Sequence, residues 1–113
     1  TTGDGIVAAL QVLVALRESG RSMAELRSGL RKCPQTMINV PVNGRFDLAE
    51  LPAVAAAVKA TEEALSSRGR VLLRPSGTEP LVRVMVEGED AVEVERLCQG
   101  LATDVAAALR SAL

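Results

Sequence analysis

The chain has no histidine, tryptophan or tyrosine and only one phenylalanine among its 113 residues. Without aromatic rings it has no platform on which nucleotide bases could stack. It also lacks an excess of positive charge: 13 Lys and Arg against 14 Asp and Glu leave a net charge of −1. That balance argues against a general affinity for nucleic acid or for an anionic membrane. Cysteine is scarce as well. Cys33 and Cys98 are too few for a disulfide framework, and with no CxxC spacing and no histidine there is nothing to build a zinc site. Both read as buried free thiols in a reducing cytoplasm. No long hydrophobic run exists either. Ile6 to Leu16 spans 11 residues, too short to cross a bilayer, and Asp4 stands where a signal peptide would carry basic residues.

What is present is core material. Apolar residues make up 48% of the chain and charged residues 24%, the balance of one globular domain or of one small domain plus a piece of another. The segment IVAALQVLVAL is apolar on every face. It predicts a first helix to about Glu18, capped by Thr2 or Asp4, that belongs inside a larger body. With no initiator Met at Thr1, this implies a C-terminal piece of a longer protein, beginning inside a preceding domain. Gly20 ends that helix, and Ser22 with Glu25 forms a capping box for a second one ending near Leu30. A break at Arg31 to Pro34 is where a hinge fits, so residues 1–33 are expected to be the last helices of a preceding domain plus hinge. Residues 34–113 are then a separate C-terminal domain.

Within that domain Thr36, Ile38, Val40 and Val42 alternate with Met37, Asn39 and Pro41, as in a strand with one buried face. Pro41 places it at an edge, and Asn43-Gly44 makes a turn. Asp47 and Glu50 predict a capping box for a helix to about Ser66, with Leu51, Val54, Ala55, Val58 and Leu65 on one face. Asp90 and Glu93 cap a last helix with Val94, Leu97, Cys98, Leu101, Val105, Ala108 and Leu109 on one side. The order strand, helix, hairpin, helix predicts an α+β domain, a small antiparallel sheet with two helices packed on one face.

The hairpin carries the residues that folding alone does not explain: RVLLRPSGTEPLVRVMVEG, residues 70–88. With residues 75–80 as the loop, Arg74 faces Leu81, Leu72 faces Arg83, and Val71, Leu73, Val82 and Val84 share the core face. Arg74 and Arg83 become diagonal neighbours on the other face, about 7–8 Å apart, where two cations repel unless an anion sits between them. Gly77 lets backbone N–H groups approach an oxygen closely, Ser76 and Thr78 offer hydroxyls, and arginine's planar fork suits phosphate. Pro75-Ser76-Gly77 is also good turn material, and the residues alone leave a plain turn and a phosphate cradle evenly open.

The stretch RPSGTEPLVRVMVEG resembles the C-terminal phosphate-binding loop of the phosphohexose mutases, and within them the bacterial phosphoglucosamine mutases. TTGDGIVAALQVL, residues 1–13, is similar to the segment near the end of those enzymes' third domain. The resemblance implies a C-terminal domain with a TATA-binding-protein-like fold. It implies a four-domain, magnesium-dependent cytoplasmic enzyme that interconverts glucosamine 6-phosphate and glucosamine 1-phosphate through a phosphoserine, on the way to cell-wall precursors. By the same resemblance Arg74, Ser76, Gly77, Thr78 and Arg83 bind the substrate phosphate that is not reacting, while Glu79 orients the loop without being a ligand.

The phosphoserine, the magnesium ligands and the sugar-reading loop have no counterpart in this chain. Glu62, Glu63, Glu87, Glu89 and Asp90 read as surface charges, so no catalytic or metal-binding residue is expected and the chain alone should be inactive. The expected partners are a phosphosugar and the first three domains of the same polypeptide, with no nucleic acid and no membrane, and a dimer formed through the exposed first helix. The alternatives are a phosphomannomutase or phosphoglucomutase of the same superfamily, or a non-catalytic regulatory or dimerising module.

Overall fold

The computed structural model describes residues 3–43 and 48–111. They form two compact units, Thr1–Lys32 and Cys33–Leu113.

The first unit is helical. Helix α1 spans Gly5–Ser19, and the Asp4 carboxylate caps it by accepting from the N–H groups of Ile6 and Val7, each at 3.0 Å. Thr2, the other expected cap, lies outside the described residues. Gly20 closes the helix with φ 63°, a left-handed conformation that glycine adopts without a Cβ penalty. Helix α2 spans Met23–Arg27 and opens on the expected capping box: the Glu25 N–H donates to Ser22 Oγ, and the Ser22 N–H donates to Glu25 Oε2. Those bonds to Ser22 hold the Glu25 carboxyl below its ordinary pKa. The helix stops short of the expected Leu30. The Ser28 hydroxyl takes the Glu25 carbonyl at 2.7 Å, and only a turn closed by Leu30 N–H on Arg27 O follows. No residue of α1 or α2 is buried.

The second unit holds strands β1 (Gln35–Pro41), β2 (Gly69–Pro75) and β3 (Leu81–Gly88), with helices α3 (Pro52–Leu65) and α4 (Ala91–Ser111). The sheet is antiparallel in the order β1-β3-β2, so both sides of the central strand β3 are paired. Helix α4 lies across β1 and β3, α3 lies over β2, and the helices pack on each other. Val82, Val84 and Val86 of β3 meet Val94, Cys98, Leu101 and Val105 of α4, while Val54 and Leu65 of α3 complete the core. This is the expected α+β arrangement, and the apolar face of α4 is the one read from its spacing.

Three expectations need correction. Helix α3 begins at Pro52 rather than just after Asp47, which lies outside the described residues together with Gly44. Pro52 needs no N–H partner in the first turn and drives Leu51 out of helical geometry, to φ −99° and ψ 101°. Glu50 therefore sits in a separate 3₁₀ turn, Leu48–Glu50. At α4 the Asp90 carboxylate caps the Glu93 N–H at 2.7 Å, but Glu93 does not reach back. Its two oxygens instead grip the Arg68 guanidinium at 2.8 and 3.2 Å, raising the Arg68 pKa and tying the turn after α3 to the start of α4. Finally, Cys98 is buried as expected and burial pushes its thiol up, but Cys33 is exposed, because it lies in the extended connection before β1.

Candidate functional site

The β2–β3 hairpin holds every site residue expected from sequence, but in a register two residues from the expected one. Arg74 pairs with Arg83, Leu73 with Val84 and Pro75 with Val82. A slip of two preserves which side chains face the core, so the hydrophobic pattern could not have detected it. Its cause is Pro75. The Ser76 N–H donates to Leu81 O at 2.9 Å, which makes Ser76–Leu81 a hydrogen-bonded pair and Pro75–Val82 a non-hydrogen-bonded one. The proline nitrogen then points away from β3 on an edge strand, where no donor is needed. The strand can run through Pro75 instead of ending before it.

The consequence is a tighter cationic pair than expected. Arg74 and Arg83 are directly opposed on the sheet face away from the helices, with Cα atoms about 5.5 Å apart for a hydrogen-bonded pair. Across β3, Asn39 of β1 pairs with Arg83, so Asn39, Arg83 and Arg74 form one row over three strands. The next row toward the helix-proximal end of the hairpin is Met37, Met85 and Leu72, followed by Gln35, Glu87 and Arg70. A shallow depression of about 130 Å³ runs along this face, lined by Gln35, Met37, Leu72, Arg74, Arg83 and Met85.

The loop sits at the end of the row. Ser76 Oγ accepts from the N–H groups of Glu79 at 3.3 Å and Thr78 at 3.5 Å, a local turn that shapes the loop and leaves the hydroxyl proton to donate elsewhere. The Leu81 N–H closes on Glu79 O at 2.8 Å, and the Val42 N–H anchors Pro80 O to the end of β1 at 2.9 Å. Gly77 stands in open space: a Cβ built there would meet no atom within 4 Å. Thr78 is exposed. Arg83 has one anionic neighbour, Glu79 Oε2 at 3.6 Å, and Arg74 has no ion-pair partner among the described residues. The loop thus brings together two guanidiniums, two hydroxyls and an unobstructed backbone. Asn39 is the neighbour that sequence reasoning missed. Alternation in β1 assigns it to the outer face, but only the strand order puts it beside Arg83.

Comparison with known proteins agrees with this architecture. The family described as "Phosphoglucomutase/phosphomannomutase, C-terminal domain" matches residues 37–104. The chain belongs to this family. Among curated members, phosphoglucosamine mutase from Dechloromonas aromatica is 63% identical over 105 residues, which cover 93% of this chain and 23% of that protein. The enzyme of the same name from Cellvibrio japonicus is 57% identical, over 96% of this chain and 24% of that protein. The chain therefore spans about a quarter of the length of the curated relatives it matches. Of the solved phosphohexomutase structures, Aspergillus fumigatus N-acetylphosphoglucosamine mutase in complex with GlcNAc-6P and magnesium superposes with a TM-score of 0.73 at 27% identity. The superposition covers 95% of this chain and 22% of that one. Among the described residues no three His, Cys, Asp or Glu side chains gather closely enough to hold a metal ion. No helix among them is long and apolar enough to cross a membrane.

Proposed function

We propose that this chain is the phosphate-clamping part of a phosphoglucosamine mutase, a cytoplasmic enzyme that interconverts glucosamine 6-phosphate and glucosamine 1-phosphate. Arg74, Ser76, Gly77, Thr78 and Arg83 hold the substrate phosphate that is not being transferred. The observation that carries this reading is the direct pairing of Arg74 with Arg83 on the open sheet face, beside a loop with hydroxyl and backbone donors. Two like charges directly opposite each other destabilise a hairpin. A phosphate between them turns that cost into charge-assisted bonds worth roughly 1.5–3 kcal/mol each.

A clamp of this kind suits the reaction. Isomerisation through a phosphoserine passes by way of a sugar bisphosphate that must turn over, so each phosphate occupies both positions in turn. Guanidinium forks and backbone N–H groups read phosphate rather than sugar and serve both orientations. They also hold the substrate in line for transfer, and positioning with charge stabilisation supplies most of phosphoryl-transfer catalysis. The phosphoserine and the magnesium of the reaction belong, in this proposal, to other parts of a longer protein. The described residues offer no ligand set for the metal, and the chain by itself is inactive.

The test is a titration of the 113-residue chain with inorganic phosphate and with glucosamine 6-phosphate, followed by the backbone amides. Amides 74–83 should shift saturably with both ligands, and an Arg74→Ala variant should lose the response. Amides that ignore both anions would leave the loop an ordinary turn and favour a non-catalytic module.

A further inference from the structure

We propose that Glu79 is an internal stand-in for the phosphate: its carboxylate occupies the Arg83 guanidinium while the clamp is empty, and an arriving phosphate displaces it. This inference rests on the phosphate reading of the loop and adds a control on how tightly the loop holds its ligand.

The geometry is specific to Glu79. Its oxygen Oε2 lies 3.6 Å from Arg83 Nη2, near enough for attraction and too far for a good hydrogen bond. Its backbone is fixed on both sides, by the Ser76 hydroxyl on its N–H and by the Leu81 N–H on its carbonyl. The side chain is therefore delivered to Arg83 by the loop's own turn. The Glu79 side chain is 58% exposed and that of Arg83 33% exposed, so the carboxylate can swing into solvent without leaving a buried group unpaired. Arg74, directly across the hairpin, has no such partner among the described residues, and one carboxylate cannot neutralise both cations. A doubly charged phosphate can bridge the two guanidiniums, and so wins the competition.

Such a competitor offsets part of the repulsion within the empty arginine pair and weakens the hold on phosphate. A clamp that must release and recapture a phosphate while the bisphosphate turns over requires that moderation. An exposed pair of this kind should reduce phosphate affinity by about two- to five-fold.

The experiment uses the 113-residue chain and inorganic phosphate, observing the amides of residues 74–83 and the Glu79 carboxyl carbon by NMR. Expected are a Glu79 carboxyl signal that moves in step with the amides and a Glu79→Gln variant that binds phosphate about two- to five-fold tighter than the parent. A Glu87→Gln variant removes a carboxylate from the same face, where it pairs with Arg70 at 3.1 Å, and should gain less. A Glu79 signal that stays still at saturation, equal or weaker binding by Glu79→Gln, or an equal gain from Glu87→Gln each overturns the proposal. If the parent's amides ignore phosphate, the phosphate reading itself fails and takes this inference with it.

Discussion

Arg74 and Arg83 owe their candidacy to where they are not needed. Arg74 is exposed, and Arg83 lies on the face away from the core, so truncating either opens no cavity and should leave stability nearly unchanged. On the proposed reading, in a longer mutase that contains this chain, Arg74→Ala and Arg83→Ala should each lower kcat/KM by about one to two decades, the worth of a charge-assisted bond to phosphate. Lysine at either position should restore only part, since an ammonium keeps the charge and loses the fork. Gly77 makes a sharper probe. With open space around its Cα and no left-handed φ, Gly77→Ala has no reason to disturb the free fold. A normal melting curve together with weakened phosphate binding is the expected outcome. Normal binding would show that the glycine merely serves the turn. These residue types and their shared face were legible in the sequence. The direct opposition of the arginines was not, because the hydrophobic alternation is blind to a slip of two.

At the scale of elements, the hairpin is positioned by its base. Gly69 pairs with Gly88 where β2 leaves the turn after α3 and β3 enters the turn before α4. A Cβ on Gly69 would collide with the Glu87 carbonyl oxygen and come within 3.0 Å of Leu65 Cδ2 and of the Gly88 Cα. Because the obstruction is largely backbone, the sheet itself would have to move. Gly69→Ala should cost about 1–3 kcal/mol, the range for forcing extra atoms into a packed site, read as a lower denaturation midpoint at unchanged m-value. Gly100 is the control: it has nothing within 4 Å of a built Cβ, and Gly100→Ala in the middle of α4 should stabilise by about 0.5–1 kcal/mol. The periodicity of β1, β3 and α4 made those elements readable in advance. The start of α3 was misplaced because Asp47 and Glu50 mimic a capping box, while Pro52 sets the actual boundary through backbone sterics.

The molecule as a whole divides where its burial does. Among the described residues every buried core residue lies between Val40 and Leu109, inside the unit Cys33–Leu113. Helix α1 has no fully buried residue and exposes Ile6, Val7, Leu10, Val12, Leu13 and Val14, with Ile6 at 76% and Leu13 at 58% of full exposure. A contiguous apolar surface of this kind drives association. Removing residues 1–32 deletes none of that core. The remaining chain should therefore unfold as one cooperative unit, with a midpoint within about 4 °C of the parent's main transition. It should also sediment as a monomer, whereas the 113-residue chain should self-associate as its concentration rises. Charged residues at Leu10 and Leu13 should reproduce the effect of the deletion without shortening the chain. A parent that stays monomeric at every concentration overturns the association expected of the apolar helix, and a truncated chain that fails to fold overturns the claim that residues 33–113 carry their own core.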